Sequence, residues 1–299
     1  MKEYSISRRI WRIINPLLIY VGITVAVGLI FGISLGVLLV MQNTFGSSGI
    51  NVVDLANEMQ RIVIEYAMPI MITGNIAALA AFIPMWAGAR KRLDAYNNIR
   101  PATNYVLTIG LFAAFNVLLV CVFELLDSYI NLMSYFPSYE ELDQTLSSGS
   151  LIARMISLGV ATPVVEELCF RGVLMERLRW MPVWAAIIIQ AFIFGVAHLN
   201  LFQGAYAFVL GIILGLVYIK YRSIIVVIVG HAAFNITSVV QSYINAEINI
   251  YAFLIPASAL VVLCAVFMIK SSPAYVVAGT IGGNVVENGE WKYEGQQQR

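Results

Sequence analysis

Charge is the scarcest property of this sequence. Asp, Glu, Lys and Arg together make up 12% of its 299 residues, about half the roughly 25% of a soluble domain. An ordinary globular protein is excluded by that shortage alone. The net charge of +1 supplies no basic field, so nucleic acid is not an expected partner. Three cysteines, Cys121, Cys169 and Cys264, lie singly in apolar runs without a CxxC. They specify neither a disulfide framework nor a thiolate zinc site, and they read as small apolar side chains in packed helices. Histidine occurs twice, at His198 and His231.

What is abundant is apolar sequence, 60% of the chain. A membrane span needs about 20 predominantly apolar residues, and eight such stretches are legible. They lie near Pro16–Met41, Ile62–Trp86, Tyr105–Leu126, Leu151–Leu178, Pro182–Asn200, Gly204–Ile219, Ser223–Tyr243 and Ile250–Ile269. The first is longer than the roughly 7–15 apolar residues of a signal-peptide core and is expected to stay as an anchor. The predicted fold is all-α, a polytopic membrane bundle of about eight transmembrane helices. A polar stretch rich in Gly, Asn and Gln from Ser271 to Arg299 reads as a flexible cytoplasmic tail.

Basic residues favour the cytoplasmic ends of spans. Lys2, Arg8, Arg9 and Arg12 precede the first stretch; Arg90, Lys91, Arg92 and Arg100 follow the second, Arg177 and Arg179 the fourth, Lys220 and Arg222 the sixth, Lys270 the eighth. The alternate loops carry Asp54, Glu58, Asp127, Glu140, Glu141 and Asp143, with Arg61 and Arg154 as their basic residues. Both termini are therefore expected in the cytoplasm. Glycines at four-residue spacing, Gly28/Gly32/Gly36 and Gly211/Gly215, are expected to let helices pack closely.

Against this background the segment "VVEELCFRGVLMER" is anomalous: Glu166, Glu167 and Arg171 lie inside an apolar span. Intramembrane charges are costly and mark transport paths, proton relays or catalytic sites. The two histidines and Asn235 also lie in apolar runs. At about 1.5 Å per residue, Glu166 is about 18 Å from the turn near Leu178 and His198 about 24 Å from Pro182. By the same rise His231 and Asn235 lie about 12 and 18 Å from Ser223. Four residues on three helices thus reach a similar depth. Glu167 and Arg171, four apart, suit an ion pair on one helix face. Glu166, rotated by about 100°, is left to handle protons. His231 and Asn235 share a face and both can donate to a developing oxyanion. Phe194 precedes His198 by one turn, placed to pack on its ring. Pro163 removes a helix hydrogen bond just before the glutamates.

These residues fall into three motifs. "EELCFR" (Glu166–Arg171), "FGVAH" (Phe194–His198) and "HAAFN" (His231–Asn235) fit EExxxR, FxxxH and HxxxN, in order. The segment resembles the CPBP family of CAAX proteases and bacteriocin-processing proteins, also called Abi, which includes the type II CAAX prenyl endopeptidases. The resemblance implies an intramembrane endopeptidase of multi-helix α fold. It makes Glu166 the general base, activating water together with His198. His231 and Asn235 become the oxyanion hole, and Glu167 and Arg171, with Phe194, the support. The resemblance covers about Leu151 to Tyr243; together with the apolar stretches this divides the chain into N-terminal helices (1–150), catalytic helices (151–245), a last transmembrane helix (246–270) and the tail (271–299).

No cofactor is expected. Zinc held by Glu166, His198 and His231 is the alternative, although no HExxH is present. The expected partners are a peptide or membrane-associated protein substrate and the bilayer, in a bacterial plasma membrane. A proton-coupled transporter and a non-proteolytic scaffold or immunity protein are the competing functions. The absence of a repeated Glu-rich segment weighs against the transporter, and the intact motifs against the silent scaffold.

Overall fold

Lipid offers no partner for a backbone amide, so each apolar stretch closes its hydrogen bonds internally as helix. The computed structural model describes residues 5–45, 52–91, 101–244, 250–270, 285–287 and 290–292. Most of the expected tail lies outside the described residues, as do Lys2, Arg92 and Arg100 of the orientation pattern.

Among the described residues, and apart from the short 3-10 turn Leu132–Tyr135, ten helices follow one another: α1 Ile6–Phe45, α2 Val52–Glu65, α3 Ala67–Lys91, α4 Ala102–Ile130, α5 Pro137–Leu146, α6 Leu151–Arg177, α7 Val183–Ala197, α8 Leu201–Tyr221, α9 Ile224–Ile244 and α10 Ile250–Lys270. Within the tail, Val285–Glu287 pairs antiparallel with Glu290–Lys292. The all-α polytopic bundle expected from composition is what the structure shows. Among the described residues six helices (α1, α3, α4, α8, α9 and α10) are long and apolar enough to cross a membrane, and a seventh span exists if α5 and α6, bent by 110°, are taken as one.

The fifth stretch is shorter than expected. It forms the 15-residue α7, about 22 Å long against a hydrocarbon core of about 30 Å. The reason is local. The His198 amide closes a tight last turn on the Gly195 carbonyl, Leu199 has φ 54°, and the Asn200 side chain caps α8 by accepting from the Gln203 amide. The second stretch is also shifted, breaking at Tyr66 between α2 and α3. Pro69, in the first turn of α3, has no amide to offer the Glu65 carbonyl.

α10 and α9 both pack along α4, and α7 lies against α8 as an antiparallel hairpin. Close approach there depends on glycine. A Cβ on Gly195 would stand 2.6 Å from the Gly204 carbonyl oxygen, and one on Gly211 3.0 Å from the Ala191 Cα. Gly195→Val should force the hairpin apart and cost about 1–3 kcal/mol, read as a lowered melting temperature in detergent. The Gly28/Gly32 expectation is corrected: a Cβ at either position meets nothing within 4 Å. That face of α1 is uncovered, so Gly28→Ala should leave the melting temperature unchanged.

Candidate active site

α6 is continuous but not uniform. Two π-helical segments, Met155–Ala161 and Leu168–Leu174, flank the α-helical turn Thr162–Glu167 that carries both glutamates. In the first, the Thr162 amide bonds five residues back, to the Ser157 carbonyl. The same register would turn the Leu158 carbonyl to residue 163, which is proline and has no N–H. That carbonyl is instead satisfied by Asn235, whose Nδ2 donates to it at 2.8 Å. The proline thus fixes a side chain on α9 by what it fails to donate. π segments of this kind are concentrated at functional sites.

Glu167 and Arg171 are both fully buried and paired, Arg171 Nη1 donating to Glu167 Oε1 at 2.8 Å, as their spacing implies. Around the pair lie partners that the sequence did not reveal. Arg171 Nη2 donates to the Gly211 carbonyl at 3.1 Å, and Gln190 Nε2 donates to the same oxygen at 2.8 Å. The guanidinium also lies over the Phe194 ring, 4.9 Å from its centroid. A clue to Gln190 existed: it stands one turn before Phe194, the single polar residue in "AAIIIQAFIFG". Gly211 had been legible only as a packing residue.

His231 joins the pair from α9. Its Nδ1 lies 2.7 Å from Glu167 Oε1. A carboxylate bound to arginine accepts, so Nδ1 carries the proton and donates. Nε2 lies 3.7 Å from Glu166 Oε2. His198 sits at the C-cap of α7 rather than within a helix, the correction that follows from the shortened hairpin. Its Nδ1 lies 2.7 Å from the Phe194 carbonyl, which can only accept, so Nδ1 carries a proton and donates.

Phe194 holds the group together. Its ring meets those of His198 at 4.8 Å, His231 at 5.8 Å and Phe170 at 4.9 Å, all edge-on. Glu166 is the exception in this network. It is 8% exposed and makes no hydrogen bond among the described residues. Tyr20 of α1 lies within its electrostatic reach, so the N-terminal helix approaches the site as well. Among the described residues no three His, Cys, Asp or Glu side chains are placed to hold a metal ion.

Residues 148–237 match the family model described as "Type II CAAX prenyl endopeptidase Rce1-like". Over that segment, which is less than a third of the chain, the sequence is similar to Rce1-like domains. That match spans the Glu pair, both histidines and Asn235, the same residues that the fold gathers around Phe194 and the first π segment. The matched segment lies within a bundle whose helices include six long and apolar enough to cross a membrane among the described residues. No curated protein and no solved structure matches the chain at a significant level.

Proposed function

We propose that the protein is an intramembrane endopeptidase in which Glu166 draws the proton from a water molecule as that water attacks a peptide carbonyl. The carrying observation is the division of labour between adjacent glutamates. Glu167 is bound by Arg171 and His231, while Glu166 keeps a carboxylate without a hydrogen bond among the described residues, facing His231 Nε2. A base must have a free lone pair, and Glu166 has one. His198, whose Nδ1 donates to the Phe194 carbonyl, offers Nε2 as the second acceptor for the water.

The water oxygen forms the new bond to the carbonyl carbon, and its proton goes to Glu166. Charge collects on the former carbonyl oxygen, where Asn235 has one amide hydrogen left after its bond to Leu158. His231, entering the reaction protonated on both ring nitrogens, donates from Nε2 to the same oxygen and keeps that proton throughout, with the Glu167 carboxylate opposite Nδ1. On collapse the C–N bond breaks and the proton passes from Glu166 to the departing amine. The substrates are membrane-associated peptides, of lipidated C-terminal or leader type, reached from within a bacterial plasma membrane.

The test is cleavage by purified wild type and Glu166→Ala of lipidated and leader-type peptides, with and without a zinc chelator, followed by mass spectrometry. Cleavage retained in chelator and lost in the variant is the expected result. Loss in chelator that added zinc restores would replace the base with a metal site. Equal cleavage by both proteins would remove Glu166 from the chemistry.

A further inference from the structure

A threonine inside a helix can close its hydroxyl back on the carbonyl four residues earlier. Thr24, Thr73, Thr108, Thr145 and Thr237 all do so, donating at 2.6–3.1 Å. Thr162 of α6 does not. The carbonyl it would use is that of Leu158, and Asn235 Nδ2 already donates to that oxygen. Thr162 Oγ1 instead accepts, at 3.0 Å, from Nδ2 of Asn75 on α3. Asn75 is 6% exposed, a polar side chain inside an apolar span. With an incoming donor on its oxygen, the Thr162 hydroxyl turns its hydrogen away from Asn75. Among the described residues that hydrogen meets no acceptor.

The position of Thr162 identifies the acceptor. Thr162 and Glu166 are four apart within the α-helical turn Thr162–Glu167, so they share a face, about 6 Å apart along the axis. The Leu158 carbonyl points along α6 towards residues 162 and 163, so the Asn235 amide bound to it stands at the level of Thr162. The spare donor is thus beside the amide that would hold the oxyanion and one turn before the carboxylate that would activate the water. Thr162 is half-buried and open to a ligand, whereas Asn75, which holds it, is buried. A neutral hydroxyl fixed in this way is oriented before charge develops and needs no proton transfer to act.

We propose that the Thr162 hydroxyl is a third donor to the oxyanion, beside Asn235 and His231, and that Asn75 is the positioning residue that aims it. The assignment rests on the protease reading for the identity of the acceptor, while binding of a tetrahedral anion at Thr162 can be measured without any cleavage. It extends the site beyond residues 148–237, since Asn75 comes from α3. Loss of a hydrogen bond to a charged oxygen weakens binding by about 10- to 100-fold. The loss should fall on the tetrahedral state and spare the planar peptide.

The probe is an N-acetylated apolar tetrapeptide amide in which a phosphinate replaces the central peptide bond, with the unmodified tetrapeptide amide as the planar reference. Each is titrated into the full-length protein in neutral detergent, with binding read by tryptophan fluorescence. Wild type should prefer the phosphinate by about tenfold or more. Thr162→Val should lose about 10- to 100-fold in phosphinate affinity and bind the planar peptide as wild type does. Thr162→Ser, which keeps the hydroxyl, should recover most of the loss. Asn75→Leu should show a smaller loss, and no further loss when added to Thr162→Val. That double variant removes donor and acceptor together, so it leaves neither buried and unpaired if the single variant folds poorly. No binding of the phosphinate, no preference for it in wild type, or an unchanged affinity in Thr162→Val overturns the proposal. A Thr162→Ser protein as weak as Thr162→Val assigns the effect to the methyl group and overturns it as well. Additive losses in the double variant overturn the role of Asn75. If Glu166→Gln cleaves peptides like wild type while phosphinate binding still depends on Thr162, the base assignment fails and this one stands.

Discussion

Glu166→Gln should lower kcat for peptide cleavage by about 10²–10⁴-fold, the range attributed to general-base catalysis, while the melting temperature stays near that of wild type. The amide has nearly the shape of the carboxylate, and Glu166 makes no hydrogen bond among the described residues for the substitution to break. Glu167→Gln should behave differently. That carboxylate carries Arg171 and His231, so removing its charge leaves a fully buried guanidinium facing a neutral amide and takes the anion from His231. Stability and activity should fall together. Kinetics and thermal melts of both variants separate the roles: a Glu167→Gln protein that melts like wild type would contradict the assignment of that carboxylate to support.

The largest loss of stability is expected from Arg171→Leu. The side chain is fully buried, and its removal leaves the Glu167 carboxylate without its cation. Breaking a buried pair by removing one partner costs about 3–5 kcal/mol, whereas removing both charges together is often close to neutral. Arg171→Leu combined with Glu167→Leu should therefore recover much of the stability lost by Arg171→Leu alone, without recovering activity, because His231 Nδ1 would have lost its acceptor. Thermal unfolding of the two variants in detergent measures this. A double variant no more stable than the single one would show that packing of Arg171 on Phe194, rather than its charge pairing, holds the site.

Much of the architecture was legible because hydropathy reports directly on lipid exposure. α1, with Leu29, Ile30 and Ile33 all more than half exposed, is the sort of surface that an 18-residue apolar run announces. The shortness of α7 was hidden for a physical reason: it ends on a backbone event, a positive φ at Leu199 and a cap from Asn200, and the residues on either side are as apolar as any span. The glycines divide in the same way. Gly211 and Gly28 stand in identical small-residue patterns, but only the first has a helix against it. Spacing identifies residues that permit close approach and says nothing of whether a neighbour comes.

Within the site, the Glu167–Arg171 pair followed from i,i+4 geometry on one helix, and the packing of Phe194 on His198 followed likewise. The bond from His231 to Glu167 did not, since it joins residues 64 positions apart and depends on which of two neighbouring glutamates turns towards α9. Two π segments change the register of α6 on either side of that pair, and no period of 3.6 residues predicts their effect. Gln190 and the Gly211 carbonyl were missed because a backbone acceptor leaves no trace in side-chain spacing.

The central claim is that Glu166 activates water and does not itself attack the peptide. A single turnover in water enriched in oxygen-18, with enzyme in excess over peptide, tests it most directly. The predicted result is one labelled oxygen in the new carboxyl group of the product and none in the enzyme fragment containing Glu166. Unlabelled product, with the label in the Glu166 carboxylate, would mean that this side chain had formed an acyl-enzyme anhydride, and the account of a glutamate-activated water would be wrong.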